Sequence, residues 1–303
     1  MNGIVTKSTG SWYTVLTENG FRECRIKGRL RLEGIKATNP VAVGDQVELL
    51  DDSIVGIRPR KNYIIRKATN LSRQTHVLAA NIDRAWLLVT LALPRTSTGF
   101  IDRFLVTAEA YRIPVTLLFN KTDIYTDEGL EELSLLRSVY ERIGYECFAL
   151  SSLNAQDVES LKEKMKDRVN LVAGHSGVGK STLINALEPG LELKTGELSE
   201  AHDKGMHTTT FAEMFRLSNG GFIIDTPGIK EFGIVNVEKN ELYHFFPEIF
   251  KKASGCKYGT CLHVNEPKCA VIEAVKKEEI AASRYNSYLG ILTSGELDKK
   301  YND

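Results

Sequence analysis

The middle of the chain contains a segment with the composition and spacing of a phosphate-binding loop. It follows an apolar run and precedes a predicted helix, and it runs Gly174-His175-Ser176-Gly177-Val178-Gly179-Lys180-Ser181, matching the pattern G-x-x-x-x-G-K-S/T. Glycines let backbone N–H groups surround a phosphate, and the N-terminus of the following helix adds partial positive charge. We therefore expect Lys180 to contact the β- and γ-phosphates of a nucleotide, Ser181 to ligate Mg²⁺, and Thr182 to lie beside them.

A second motif ends another apolar run, at residues 222–224, and reads Asp225-Thr226-Pro227-Gly228. Alone, Asp-Thr-Pro-Gly is a turn sequence. At a strand end, in the same chain as a phosphate loop, it predicts a site for Mg²⁺ and the γ-phosphate. We expect Asp225 to hold Mg²⁺ through water and the backbone N–H of Gly228 to contact the γ-phosphate.

A third motif, Asn120-Lys121-Thr122-Asp123, follows the apolar run at residues 115–119 and predicts recognition of guanine. The Asp123 carboxylate can accept hydrogen bonds from guanine N1–H and N2–H₂, which adenine does not offer, so the motif favours GTP over ATP. We expect Asn120 to brace the loops and the stem of Lys121 to lie over the base.

Ser151-Ser152-Leu153, also after a predicted strand, is expected to form the companion loop that contacts the base. The alternative interpretation is ordinary turn chemistry, because serines are common in turns.

The order of these motifs along the chain is unusual. In Ras-like proteins the phosphate loop comes first and the N-K-x-D motif comes late, whereas here the N-K-x-D motif at residue 120 precedes the phosphate loop at residue 174. The same sheet can be built if the original termini are joined and new ones open in a surface loop. The order therefore predicts a circularly permuted GTPase domain, whose segment after Gly228 leads directly into the C-terminal region.

The polar stretch at residues 197–206, followed by His207-Thr208-Thr209-Thr210, lies where a first switch segment is expected. We expect the Thr209 hydroxyl to complete Mg²⁺ coordination when the γ-phosphate is present. Ile229 stands where Ras-like enzymes carry the glutamine that orients the attacking water, so intrinsic hydrolysis should be slow. His207 is the candidate replacement, together with Lys180 and Thr209, and the alternative is that His207 packs in the loop without a catalytic role.

Four potential metal ligands lie close together near the C-terminus, in the order Cys256, Cys261, His263 and Cys269. A set of three thiolates and one imidazole suits a closed, tetrahedral, structural Zn²⁺ site. A short segment with little core of its own would gain folding free energy from the metal. The alternative interpretation is a group of reduced thiols in a small subdomain.

The pattern of apolar and polar residues changes three times along the sequence, which predicts several domains. Residues 1–66 contain about five short strands and suggest an oligonucleotide-binding (OB) β-barrel, and residues 67–80 are polar and suit a linker. Residues 81–230 alternate apolar strands with helices, as in a doubly wound α/β domain. Residues 231–303 combine a short helix, the cysteine and histidine segment and a helical tail, which predicts a helical zinc-binding domain.

Basic residues are concentrated in the predicted barrel, near Trp12 and Tyr13, at Arg22, Arg25, Lys27, Arg29, Arg31 and Lys36. Alternate spacing would place several of them on one face, where stacking and positive charge suit RNA or single-stranded nucleic acid. The alternative interpretation is a solvated strand face.

Global composition restricts the class of protein. The 303 residues contain 39 Lys plus Arg and 39 Asp plus Glu, so any surface that binds nucleic acid must be a local patch. Apolar runs are shorter than the ~18 residues that a membrane span needs, and the N-terminus does not have the pattern of a signal peptide. These features predict a cytoplasmic protein without a membrane partner, which we expect to be a monomer.

Together the motifs are similar to those of the ribosome small-subunit-dependent GTPase A family of bacteria. Besides the permuted order, the resemblance rests on Ala79-Ala80-Asn81-Ile82-Asp83, His207-Thr208-Thr209-Thr210, Phe246-Pro247-Glu248, Glu266-Pro267-x-Cys269-Ala270-Val271 and Arg284-Tyr285-x-Ser287-Tyr288. It implies a factor that acts late in maturation of the 30S subunit, binds 16S ribosomal RNA, hydrolyses GTP faster on the subunit and holds zinc at the Cys₃His set. The chain departs from the family at His175, where Gln is expected, at Met206, where Arg is frequent, and at Lys268, where Gly is frequent.

Two other functional hypotheses follow from the same residues. One is an RNA-binding module in which GTP is mainly a structural ligand, because Ile229 removes the usual catalytic aid. The other is a GTP-switched protein that acts on another RNA, such as the 50S subunit or tRNA. Salt-dependent binding to separated 30S subunits, 50S subunits and tRNA tests the second of these hypotheses.

Overall fold

The structure is a computed structural model that describes residues 1–27, 40–67, 75–191, 212–225 and 237–294. Five residues within strands are described by their backbone alone, namely Arg66, Lys67, Thr75, His76 and Asp225. No helix in these ranges combines the length and the apolar character needed to cross a membrane.

The N-terminal region is a closed five-stranded barrel. Its strands are β1 (Asn2–Ser8), β2 (Tyr13–Thr17), β3 (Gly20–Ile26), β4 (Gln46–Leu50) and β5 (Ser53–Ile57). Around the barrel the order is β1-β2-β3-β5-β4, and β4 closes it by pairing with β1. Only the β3–β5 pair is parallel among these five pairings. Alternate residues such as Val5, Val15 and Ile54 fill the interior, as a barrel of the OB type requires.

A two-stranded hairpin follows the barrel, formed by β6 (Tyr63–Lys67) and β7 (Thr75–Ala80). The segment for which the sequence predicts a linker, residues 67–80, therefore contains a strand. Val77 and Ala79 are buried two residues apart, which is the strand period, but Leu78 and Ala80 are apolar too, so the sequence shows no alternation here.

The hairpin and the barrel meet at close range. The backbone N–H of Ala80 donates to Val43 O at 2.8 Å, and a Cβ atom on Gly44 would lie 2.1 Å from Ala80 O. Gly44 also has a positive φ of 88°, so only glycine suits this approach. Asn62 then joins the hairpin to the next domain, because its side chain exchanges two hydrogen bonds of 2.8 Å with the backbone of Ile82.

The central domain is a six-stranded sheet with helices on both faces. Its strands are β8 (Arg84–Val89), β9 (Val115–Phe119), β10 (Glu146–Ala149), β11 (Val169–Ala173), β12 (Glu213–Arg216) and β13 (Phe222–Asp225). The order is β10-β9-β8-β11-β13-β12, and β12 is the antiparallel strand of an otherwise parallel set. A bridge between Lys7 and Glu213 connects β12 to the barrel.

Four helices cover this sheet, α1 (Thr98–Ala110), α2 (Asp127–Ile143), α3 (Ala155–Met165) and α4 (Lys180–Leu187). Helices α1 and α2 share one apolar core with Leu87 and Leu117, whereas α3 and α4 share another with Trp86 and Leu88. Neighbouring strand residues therefore face opposite layers, which is why these strands are apolar throughout.

The C-terminal region consists of a 3-10 helix (Leu242–Phe245) and three α-helices, α5 (Pro247–Ala253), α6 (Ala270–Lys276) and α7 (Ala282–Thr293). The sequence predicts one continuous helical tail from residue 269, but the structure divides it, with Glu278 between the two helices at a positive φ of 58°. The core of this region includes Val106 of α1. Helix α1 therefore packs on the central sheet with one side and on the C-terminal helices with another.

Candidate functional site

The phosphate loop connects β11 to α4 and depends on three glycines. Gly174, Gly177 and Gly179 have φ values of 147°, 81° and 98°. At Gly179 a Cβ atom would also lie 2.5 Å from the side-chain nitrogen of Asn120, so this position needs glycine for its backbone and for its neighbour.

Lys180 begins α4 and its ammonium group lies against the loop that precedes it. Lys180 Nζ donates to the carbonyl oxygens of Gly174 and His175, at 2.8 Å each. Ser181 and Thr182 follow in the first turn and are half-buried. The positive charge, the helix N-terminus and the hydroxyl groups thus lie together, in an arrangement that can bind a phosphate with its metal ion.

Asn120 brings three of the predicted loops into contact. It is almost fully buried at the end of β9, and its side-chain nitrogen donates to Val178 O of the phosphate loop at 2.9 Å. Its side-chain oxygen accepts from the backbone N–H and the hydroxyl of Ser152, at 3.1 and 2.8 Å. The side-chain amide of Asn120 therefore connects the N-K-x-D loop, the Ser-Ser-Leu loop and the phosphate loop.

The candidate base pocket lies between the N-K-x-D and Ser-Ser-Leu loops. Ser151 Oγ donates to Asp123 Oδ1 at 2.5 Å, which fixes the carboxylate, yet Asp123 is exposed and open to a ligand. Leu153 is 77% exposed, so its side chain is open to a ligand. Lys121 has a left-handed backbone and its ammonium group contacts Leu93 O. An aromatic base would find an apolar side chain, an aliphatic stem and a carboxylate here.

Tyr125 supports this pocket and was not predicted from the sequence. Its hydroxyl donates to Asn120 O at 2.6 Å and accepts from the backbone N–H of Leu91 at 2.9 Å. Burial raises the pKa of Tyr125, so the hydroxyl keeps the proton that this bond requires. An aromatic residue two positions after the N-K-x-D motif is a weak signal, because its partners are backbone atoms.

Several predicted residues lie outside the described ranges, namely Arg29, Arg31, Lys36, His207, Thr209 and Gly228. Asp225 is described by its backbone, which ends β13. Strand β13 runs parallel to β11, so Asp225 and the phosphate loop lie at the same edge of the sheet.

The four predicted metal ligands converge. Cys256 Sγ lies 3.8 Å from Cys269 Sγ, and His263 Nδ1 lies 3.5 and 3.4 Å from these two sulfurs. All four ligand atoms, including that of Cys261, lie within 4.8 Å of one another. Tetrahedral zinc with bonds of about 2.3 Å to sulfur and about 2.0 Å to nitrogen separates its ligands by about 3.8 Å (S–S) and about 3.5 Å (S–N). The donor set and its spacing fit zinc.

The loop that carries these ligands is braced from outside. Glu266 accepts backbone N–H bonds from Leu262, Val264 and Asn265, at 2.7, 2.7 and 3.1 Å. Tyr285 OH donates to His263 O at 2.7 Å. Such second-layer bonds hold ligands in position before a metal arrives.

Burial sets the protonation of the ligands themselves. It raises the pKa of the Cys261 thiol to about 12 and lowers the pKa of His263, so the imidazole is neutral and its Nδ1 can bind a metal. Lys268 has a φ of 60°, a left-handed conformation that glycine adopts most readily.

The basic residues of β3 do not all share one face. Arg25 and Lys27 are exposed, and the Arg25 guanidinium lies 3.7 Å from the centre of the Trp12 ring. Arg22 is half-buried and has the same strand parity as the buried Cys24, so it points to the other side. Strand alternation therefore separates Arg22 from the exposed pair.

Comparison with known proteins agrees with this geometry. A family model described as RsgA GTPase matches residues 57–235, and one described as RsgA N-terminal domain matches residues 2–54. A relative from Bacteroides fragilis named "Small ribosomal subunit biogenesis GTPase RsgA" is 56% identical over 305 aligned positions, covering 99% of this chain and 98% of the relative. A relative of the same name from Christiangramia forsetii is 54% identical, covering 98% and 97%.

Two solved structures have the same fold. YjeQ from Thermotoga maritima superposes with a TM-score of 0.78 at 34% identity, covering 99% of each chain. YloQ, described as a circularly permuted GTPase, superposes with a TM-score of 0.73 at 29% identity, covering 100% of this chain and 96% of that one. They confirm the predicted barrel and permuted GTPase architecture. The chain is a GTP-hydrolysing enzyme that belongs to the RsgA GTPase family.

Proposed function

We propose that this GTPase acts late in maturation of the small ribosomal subunit, where it binds 16S ribosomal RNA and hydrolyses GTP faster on the 30S subunit. The observation that carries the proposal is the contact of three nucleotide loops at Asn120, in a chain that aligns end to end with relatives named for small-subunit biogenesis. We further propose that it acts as a monomer in the cytoplasm.

Within this proposal, guanine lies between the Lys121 stem and Leu153, and Asp123 accepts its N1–H and N2–H₂. The exposed Asp123 carboxylate and the exposed Leu153 support this arrangement. The other nucleotide contacts are Asn120, Thr122, Ser151, Ser152, the phosphate loop from Gly174 to Thr182, Asp225 and Gly228.

The phosphates lie on the loop before α4, where Lys180 exchanges its carbonyl partners for phosphate oxygens. Ser181 and Thr209 ligate Mg²⁺, and Asp225 holds it through water. When bound, Mg²⁺ neutralises charge that develops on the phosphates. His207 accepts a proton from the attacking water, in place of the glutamine that Ile229 replaces. The intrinsic rate is low for the same reason.

The C-terminal region holds one structural Zn²⁺ through Cys256, Cys261, His263 and Cys269. Through these four residues, bound zinc would tie the loop before α6 to the helices around it, which is a structural role. The ligand separations support this assignment.

The barrel contributes RNA contacts through Arg25, Lys27, Arg29, Arg31 and Lys36, whereas Arg22, on the other side of β3, is not part of this surface. The exposed Arg25 stacked on Trp12 supports a surface that combines positive charge with an aromatic face. The proposed domains are the barrel at residues 1–66, the segment at 67–80 that includes β7, the GTPase domain at 81–230 and the zinc domain at 231–303.

Binding of the GTP-loaded chain to purified 30S subunits, 50S subunits and tRNA at several salt concentrations tests the choice of partner. We expect the tightest binding to 30S subunits, weakening as salt rises because phosphate contacts release counterions. Equal binding to all three would contradict the proposal, and preference for 50S subunits or tRNA would support action on another RNA.

A further inference from the structure

The loop between β8 and α1, residues 91–97, lies against both nucleotide loops. Its Leu93 carbonyl accepts from the Lys121 ammonium group of the N-K-x-D loop. Its Pro94 packs on the phosphate loop so closely that a Cβ atom on Gly177 would lie 3.0 Å from Pro94 Cδ. This loop carries none of the sequence motifs, but it contacts both the N-K-x-D loop and the phosphate loop.

The side chain of Thr96 in this loop contacts His175 of the phosphate loop. His175 Nε2 lies 2.7 Å from Thr96 Oγ1, and His175 Nδ1 lies 3.0 Å from the carbonyl oxygen of Ser176. Thr96 Oγ1 also accepts from the backbone N–H of Thr90 at 3.0 Å. The ring of Phe100, in the first turn of α1, meets the imidazole edge to face at 5.5 Å.

These partners determine which ring nitrogen carries the proton. A carbonyl oxygen can only accept, so His175 Nδ1 must donate to Ser176. In the neutral ring Nε2 then accepts, and the Thr96 hydroxyl donates to it. Thr96 still accepts from Thr90, so every group in the chain of bonds has a complementary partner.

We propose that His175 is a positioning residue of the GTPase, which holds the phosphate loop on Thr96 through its imidazole. The proposal rests on the nucleotide site proposed above and assigns a side-chain role to a position that the phosphate-loop pattern leaves open. The backbone of His175 completes the argument, because its carbonyl holds Lys180 Nζ at 2.8 Å. Anchoring the imidazole therefore fixes the segment that sets the position of the lysine.

Loss of the contact between His175 and Thr96 should affect some guanine nucleotides and not others. The phosphate loop surrounds the β-phosphate, which GDP has and GMP lacks, whereas the base pocket is built by Asn120, Asp123 and Ser151. Loss of the anchor should weaken GDP and GTP alike and leave GMP unaffected.

The test uses the full-length chain and the variants His175→Ala, His175→Gln, Thr96→Val and the double variant His175→Ala with Thr96→Val. GDP and GMP affinities are measured with Mg²⁺ by competition against a fluorescent guanine nucleotide. We expect His175→Ala to weaken GDP binding by about 5- to 10-fold, the equivalent of one or two lost hydrogen bonds. His175→Gln, whose amide also carries a donor group and an acceptor group, should stay within about 2-fold of the parent chain.

The double variant tests whether the two residues act together. We expect its GDP affinity to match that of the weaker single variant, because removing either partner already breaks the anchor. The inference is overturned if His175→Ala binds GDP like the parent, if His175→Gln is as weak as His175→Ala, or if the two single losses add in full. It is also overturned if GMP affinity and the unfolding midpoint fall together with GDP affinity. A parent chain that does not bind GDP would contradict the nucleotide site itself.

Discussion

Arg284 Nη1 of α7 lies 2.7 Å from Asp102 Oδ1 of α1, and both side chains are completely buried. Arg284 Nε is also 2.7 Å from Glu248 of α5, and Tyr140 OH donates to Asp102 at 2.9 Å. This network joins the C-terminal helices to the helix that begins directly after the β8–α1 loop. The C-terminal region is therefore held on the GTPase domain by charge as well as by the apolar contacts around Val106.

Removing Arg284 should be costly for stability. In Arg284→Met the Asp102 and Glu248 carboxylates lose their buried partner, and we expect the free energy of unfolding to fall by about 3–5 kcal/mol. Urea unfolding followed by circular dichroism measures the change. Arg137→Met, which breaks the surface pair between Arg137 and Glu141, is the control and should change stability little. Equal stability of the two variants would show that the buried network does not hold the regions together.

Base selection should depend on one carboxylate. In Asp123→Asn the amide cannot accept both guanine bonds, but it can donate to the C2 carbonyl of xanthine. We expect GTP affinity to fall by at least about 100-fold, as for two lost bonds to a charged group, and XTP affinity to rise. Competition against a fluorescent nucleotide measures both. Asp127→Asn, at the start of α2, is the control and should bind like the parent, and unchanged GTP binding by Asp123→Asn would place the base elsewhere.

Zinc should be bound in a ratio of one per chain. Elemental analysis of the purified protein should find about one zinc per chain, as one Cys₃His set holds one ion, and Cys261→Ser should lose most of it. We also expect Cys261→Ser to expose α5 and α6 to hydrogen exchange, because the metal replaces part of a missing core. Cys147→Ser, in β10 of the central sheet, is the matched control. Full zinc content in Cys261→Ser would contradict the assignment of this residue as a ligand.

The proposed role of His207 makes a kinetic prediction. His207→Ala should lower GTP turnover on 30S subunits by about 100-fold or more, the usual contribution of a general base. GTP affinity should be unchanged, since the imidazole is assigned to water and not to nucleotide. His202→Ala alters a histidine of the same stretch that has no assigned role, and it provides the comparison. Turnover by His207→Ala at the parent rate would remove His207 from the mechanism.

The motifs could be predicted from the sequence because each one combines residues that are close along the chain. Gly174 to Ser181 form one loop, and the four metal ligands lie within one short segment, so their chemistry is visible without a fold. Continuous apolar strands predicted the parallel sheet for the same local reason.

The contacts that hold these motifs in place were not predictable in this way. Asp102 and Arg284 are separated by 182 positions, and Thr96 and His175 by 79, with no periodic pattern to relate them. Strand β7 was missed in the predicted linker because only two of its buried residues follow the strand period. Long-range pairing depends on how the layers pack, which a local pattern does not contain.

The most direct test of the proposed function is GTP turnover by the purified chain, alone and with purified 30S or 50S subunits. We expect slow hydrolysis by the chain alone, because Ile229 replaces the usual glutamine, and an increase of at least about 10-fold with 30S subunits, equivalent to about 1.4 kcal/mol of transition-state stabilisation. The 50S subunits should give no such increase. Turnover with 30S subunits equal to that of the chain alone would contradict the account.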